Sequence, residues 1–242
     1  MERRIPFAEF EPIYEAILAD LGFERAVDEQ ARDLAAEFAR PFAERRLAVL
    51  DDVRVAVVGA APSLGSELES FDPSTVDAIV AASTAVDTLA GHGIAVDLMV
   101  TDLDKNVETA HELTHNGTPV AAHAHGDNIP ALREWLPKFD SDLTLVTTQA
   151  EPTGAVINPG GFTDGDRAAF LAHAFGAREL RFVGWQFDDP SVGPLKARKL
   201  RWAEQLLFWL EQRRDEQFAF LDGRREGLCE DPTQLSTADE RA

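Results

Sequence analysis

Two aspartates separated by one residue, Asp102 and Asp104, close the apolar run Leu98-Met99-Val100-Thr101. If a strand persists through them, side-chain alternation points both carboxylates to one side. Like charges so close repel, and magnesium, which takes oxygen ligands and commonly joins one or two carboxylates to nucleotide phosphates, resolves that repulsion. Taken alone, the pair is explained as well by a solvated turn or a helix cap. A second polar group, His123-Ala124-His125-Gly126-Asp127-Asn128, also follows an apolar run. Two histidines at i and i+2 suit zinc, but no cysteine stands nearby to complete such a site, and imidazole equally orients a substrate or a carboxylate. Asp127 is the better magnesium ligand of this group.

The most distinctive stretch, residues 158–167, reads NPGGFTDGDR and combines a glycine turn, a capping threonine or aspartate and the charged opening of an apolar helix. Its aspartates, Asp164 and Asp166, extend the metal site, and Arg167 neutralises phosphate oxygens. A loop with an N-cap is the plain structural use. Gly59-Ala60-Ala61-Pro62-Ser63-Leu64-Gly65 lets backbone amides approach an anion, or simply forms a tight strand-to-helix turn. Lys196, Arg198, Lys199 and Arg201 gather cations where a late helix begins, against its dipole, so an anionic ligand or a solvated face paired to surface acids accounts for them.

These groups need a frame. Residues 5–50 carry apolar positions at helical spacing, Ile13, Ile17, Leu18 and Leu21, then Leu34, Phe38 and Phe42, with a break at Gly22. From Arg54 the pattern changes to six short apolar runs, RVAVVGAA, DAIVAAS, DLMVTDLD, PVAAHAHGD, LTLVTTQ and ELRFVGWQFDD. Runs apolar throughout are strands covered on both faces, which predicts an α/β fold with a mostly parallel sheet flanked by helices and a site at its carboxyl edge. An amphipathic helix is expected over residues 194 to 214, burying Leu200, Leu206, Leu207 and Leu210. The expected organisation is a helical region over residues 1–50, a catalytic domain over 51–222 and a loose polar tail over 223–242.

The chain has 242 residues, 43 acidic against 23 basic, and a formal charge of −20. That balance opposes nucleic-acid binding and resembles the proteins of salt-accumulating halophiles, in which a Debye length of roughly 3 Å at molar salt screens self-repulsion. No apolar run reaches the roughly 18 residues a membrane span needs, and the amino terminus lacks the apolar stretch of a secretory signal, so a cytoplasmic location is expected. The single cysteine, Cys229, implies neither an internal disulfide nor zinc. A homo-oligomer is compatible with the composition.

In order, VVGAAPSLGSEL, VTDLD, HAHGDN, TTQ, NPGGFTDGDRA and VGWQFDD resemble the archaeal 6-hydroxymethyl-7,8-dihydropterin pyrophosphokinases over residues 10 to 212. Ala61 departs from the pattern, standing where the family's turn often has a second glycine. The resemblance implies a fold similar to the catalytic domain of thiamine pyrophosphokinases. It also implies diphosphate transfer from ATP to a pterin alcohol, with release of AMP, and Mg2+ as the metal. It suggests Asp102, Asp104, Asp127 and Asp166 as metal ligands, with His123, His125 and Arg167 beside them in catalysis. ATP would lie along Gly59, Ser63, Gly160, Gly161, Thr163, Asp164, Lys196 and Lys199, and the pterin against Asn128, Gln149 and Asp188, with Trp185 and Phe162 as stacking surfaces or plain packing. Thiamine diphosphate synthesis, a nucleotide-binding regulatory domain without turnover and a role in surface glycan transfer are the alternatives.

Overall fold

The computed structural model describes residues 4–237. Among these residues six strands, β1 (Arg54–Val58), β2 (Ala78–Ala82), β3 (Leu98–Thr101), β4 (Val120–Ala124), β5 (Thr144–Thr148) and β6 (Glu179–Val183), form one sheet in the order β5-β4-β3-β2-β1-β6. Each expected apolar run contains one of them, and every neighbouring pair is parallel. The chain steps outward from β1 to β5 and then returns to place β6 on the other side of β1. A crevice between β1 and β6 follows from that reversal.

Among the described residues eight α-helices accompany the strands: α1 (Phe7–Leu21), α2 (Arg25–Phe38), α3 (Leu64–Leu68), α4 (Ala85–Gly91), α5 (Val107–His115), α6 (Ile129–Trp135), α7 (Asp164–Ala174) and α8 (Pro194–Arg214). Alternation along the strands divides the core in two. Val55 and Val57 of β1 face a cluster built with α1, α7 and α8. Ala56 and Val58 face the opposite cluster, built with α2 to α6. The amino-terminal helices thus serve both faces, α1 on one and α2 on the other. Gly22 makes this split possible: at a φ of 72° it ends α1, and its N–H donates to Leu18 O.

Helix α8 spans the expected residues and buries Leu206, Leu207 and Leu210. Leu200 differs from expectation; it is only half-buried and lines the functional cleft. The polar tail expected to be loose makes specific contacts through its described part. Leu235 is buried in the α1 side of the core, and Gln205 of α8 exchanges hydrogen bonds with the backbone of Cys229. Residues 238–242 of that tail lie outside the described residues. Among the described residues no helix is long and apolar enough to cross a membrane.

Candidate active site

All six strands deliver residues at or beyond their carboxyl ends to one cleft of about 660 Å³. β3 reaches its centre. The carboxylates of Asp102 and Asp104 do meet there, but not by strand alternation, because β3 stops at Thr101. Leu103 adopts a left-handed φ of 62°, its N–H donates to Thr101 Oγ1 at 3.0 Å, and the Asp104 N–H donates to Asp102 Oδ1 at 3.2 Å. Burial of the Leu103 side chain in the core offsets the roughly 1–2 kcal/mol that such a backbone costs a non-glycine residue.

Electrostatics differ sharply within this turn. Burial alone would raise Asp102, but His125, whose Nε2 lies 3.7 Å from Asp102 Oδ2, and the Asp104 backbone hold its carboxyl well below the usual carboxylate range. Burial and the neighbouring Asp102 push Asp104 up to about 6, against the pull of Lys105 and Lys196. A third carboxylate, Asp164 at the start of α7, is raised well above its ordinary value by burial first and then by Asp102, with Arg167 opposing. Arg167 is buried, donating to Phe162 O at 2.8 Å and lying 3.4 Å from Asp164 Oδ1, while its Nε has no partner among the described residues.

His123 is also buried. Its Nδ1 meets Thr147 Oγ1 at 3.0 Å, and its Nε2 has no partner among the described residues. Burial and the adjacent Arg167 drive its pKa well below the ordinary histidine value, so the ring is neutral. His125, Asp127 and Gln149 line the same cleft, as do Lys196 and Lys199 of α8, the latter with its Nζ 5.2 Å from the Phe23 ring. Trp185 covers the crevice between β1 and β6, its indole N–H donating to Val57 O at 2.9 Å and its ring lying against Phe220.

Several residues expected in the site have other work. Asp166 is fully buried and turned to its own loop: Oδ2 accepts from Phe162 N at 2.6 Å, and Oδ1 accepts from Thr163 N at 2.8 Å and Thr163 Oγ1 at 2.5 Å. It is a helix-capping residue whose two oxygens both accept from the loop before α7. Thr163 lines the cleft, but its hydroxyl belongs to that cap. Gly161, with φ of 84°, is required because a Cβ there would lie 2.5 Å from the Arg167 Cα, and a Cβ on Gly160 would strike the Phe170 ring. These two glycines let the loop pack on α7 and do not line the cleft.

Asn128 is likewise structural: Nδ2 donates to Asp102 O at 2.5 Å and His123 O at 2.7 Å, and Oδ1 accepts from His125 N, which ties the end of β3 to that of β4. Ser63 donates to Glu67 Oε1, whose other oxygen accepts from Gly184 N, so its hydroxyl is committed; only the backbone turn at Gly59 remains at the cleft. Asp188 pairs with Arg224 in the tail and points away, whereas Asp189 lines the cleft. Arg198 hooks onto Asp20 of α1 and is not a cleft cation.

The amino-terminal helices supply what sequence reading missed. Phe23, Glu24, Val27 and Asp28 wall the cleft at the turn between α1 and α2. Asp28 is buried and accepts from Tyr14 Oη at 2.8 Å, Gln149 Nε2 at 2.6 Å and Gly126 N at 2.8 Å. A signal did exist: Asp28, Ala31 and Ala35 share one helical face, so the aspartate sits on an otherwise apolar stripe.

Among the described residues no group of three or more His, Cys, Asp or Glu side chains is close enough to hold a metal by itself. Asp102 and Asp104, in a cleft that Arg167, Lys196 and Lys199 also line, instead fit a magnesium ion held jointly with phosphate oxygens. Fold and site together define an α/β protein whose cleft, at the carboxyl edge of a parallel sheet, gathers carboxylates and cations. The family model of the MptE-like 6-hydroxymethylpterin diphosphokinases matches residues 27–191, and the chain belongs to that family. It is 38% identical over 225 residues to the 6-hydroxymethyl-7,8-dihydropterin pyrophosphokinase of Methanothermobacter thermautotrophicus, covering 84% of this chain and 94% of that protein. The proteins of the same name from Pyrococcus furiosus and Methanocaldococcus jannaschii are 36% and 28% identical, covering 84% and 87% of this chain and 93% and 98% of theirs.

Proposed function

We propose that this chain transfers diphosphate from ATP to the hydroxymethyl oxygen of 6-hydroxymethyl-7,8-dihydropterin, releasing AMP and supplying tetrahydromethanopterin or folate-type cofactor synthesis. The reading rests on family membership and, in the structure, on one observation: the Asp102–Asp104 pair shares a cleft with Arg167, Lys196 and Lys199. In the transfer the alcohol oxygen bonds to the β-phosphorus while the bond from that phosphorus to the α,β-bridging oxygen breaks. AMP leaves with the electron pair, and the alcohol proton is lost. Magnesium on Asp102 and Asp104 would neutralise the phosphate oxygens as charge moves to the leaving group.

Arg167, fixed by the Phe162 carbonyl, offers its free Nε–H and a permanent charge to the transferred group. Lys196 and Lys199 hold the outer phosphates at the rim. His125 holds Asp102 ionised. Neutral His123 offers Nε2 as a hydrogen-bonding group that leaves the local charge unchanged. Incubation of the protein with magnesium, ATP and the pterin alcohol, with thiamine as parallel acceptor, tests the reading by chromatography and mass spectrometry. Equal amounts of AMP and pterin diphosphate are expected. ADP, or no pterin product from folded protein, overturns it.

A further inference from the structure

The cleft has two unlike ends. Four strand spacings, about 19 Å, separate the β4/β5 end from the β1/β6 end, with the Asp102–Asp104 turn between them. The β1/β6 end is formed by a small-residue turn and by the half-exposed Trp185 and Phe187. The β4/β5 end is closed and polar: Asp28, Gln149 and His123 are each no more than 5% exposed yet line the cavity.

A buried carboxylate is costly unless its hydrogen-bonding positions are filled. Asp28 offers about four lone-pair positions, and its protein donors are Tyr14, Gln149 and Gly126, with Oδ1 accepting from Gly126 alone. Burial and Asp28 raise the Tyr14 phenol, which keeps it a donor. One acceptor position on Oδ1 therefore remains, and the Nε2 of His123, which lines the same cavity, has no partner among the described residues. Buried polar atoms left open inside a cavity are where a ligand's polar groups dock. Phosphates are repelled by Asp28, so the group that fits is a neutral N–H donor.

We propose that Asp28 is the recognition residue for the aminopyrimidinone edge of the acceptor, with Gln149 holding its carboxylate in place. This places the acceptor at the β4/β5 end and the nucleotide at the β1/β6 end, their reacting groups meeting at Asp102 and Asp104. It rests on the reading above for the identity of the acceptor. The arrangement also explains why the amino-terminal helices reach into the cleft: α2 carries the residue that selects the substrate.

Two measurements on the full chain test this. The first is fluorescence titration of the pterin alcohol without ATP, for the wild type and Asp28→Asn, followed by the two KM values. Asp28→Asn should weaken pterin binding and raise the pterin KM roughly 10- to 150-fold, the ratio for losing a hydrogen bond to a charged group, with the ATP KM changed less than threefold. Equal changes in both KM values, or none in pterin binding, overturn the proposal. The second measurement needs no variant: the wild type should bind an analogue carrying oxygen in place of the 2-amino group at least tenfold more weakly, and equal binding of the two overturns it. Pterin binding without transfer would instead sink the catalytic reading and leave the recognition role standing.

Discussion

Replacing Asp166 and Asp102 by asparagine in separate proteins should give opposite results, although the two residues belong to neighbouring acidic motifs. In Asp166→Asn the best-oriented amide keeps its oxygen on Thr163 and turns NH2 toward the Phe162 N–H, which loses the 2.6 Å bond and leaves two buried donors facing each other. At about 1–3 kcal/mol for each unsatisfied group, the loss is about 2–6 kcal/mol. For a chain of this size, with about 2–4 °C per kcal/mol, Tm falls by roughly 10 °C. Asp102→Asn relieves the repulsion on Asp104 but loses the charge paired with His125, while its amide oxygen still accepts from the Asp104 N–H, so Tm should change by no more than a few degrees while turnover disappears with the proposed metal ligand. Thermal melts by circular dichroism at pH 7 without nucleotide, beside the turnover assay, separate the two cases. An Asp166→Asn protein that melts within about 2 °C of the wild type and has no activity would refute the capping role and return Asp166 to the metal site.

His173 provides a stability prediction far from the chemistry. Burial, then Arg214 and Arg213, lower its pKa to about 4, and its Nδ1 lies 3.0 Å from the Arg214 guanidinium, which can only donate. The unfolded chain takes up the proton near pH 6.5 and the folded chain does not, so this contribution is complete above about pH 6.5 and is lost as pH falls toward 4. The loss is about 1–3 kcal/mol after allowance for partial exposure, and His173→Gln should flatten that part of the Tm-against-pH curve; parallel curves would count against it. Replacing Lys196 and Lys199 together by glutamine should raise the KM for ATP about 30-fold at low salt, from ~1 kcal/mol per charge at contact distance in a water-like dielectric. The effect should shrink in molar KCl, and a salt-independent change would show that the lysines act by packing.

Much of the molecule was legible before folding because its signals are local. Continuous apolar runs marked all six strands, and polar residues at their ends marked the edge where Asp102, Asp104, His123, His125, Asp127 and Gln149 collect. The helix over residues 194 to 214 was readable from periodicity and its opening cluster of four cations from charge, but that Lys196 and Lys199 line the cleft while Arg198 pairs with Asp20 was not.

What the sequence could not decide was which of two near neighbours faces the ligand. Asp164 and Asp166 are two positions apart on α7, about 200° around the helix, so one joins the cleft while the other caps the loop behind it. Asn128 against Asp127, and Asp188 against Asp189, are decided in the same way, by partners on other elements. Asp28 is the extreme case, since its bonds reach Gly126 and Gln149, 98 and 121 residues away. Local pattern determines which segments become strands and helices, because periodicity acts over a few residues. The direction and pairing of each polar side chain are set by packing between segments distant in the chain, and that information exists only once the sheet has assembled.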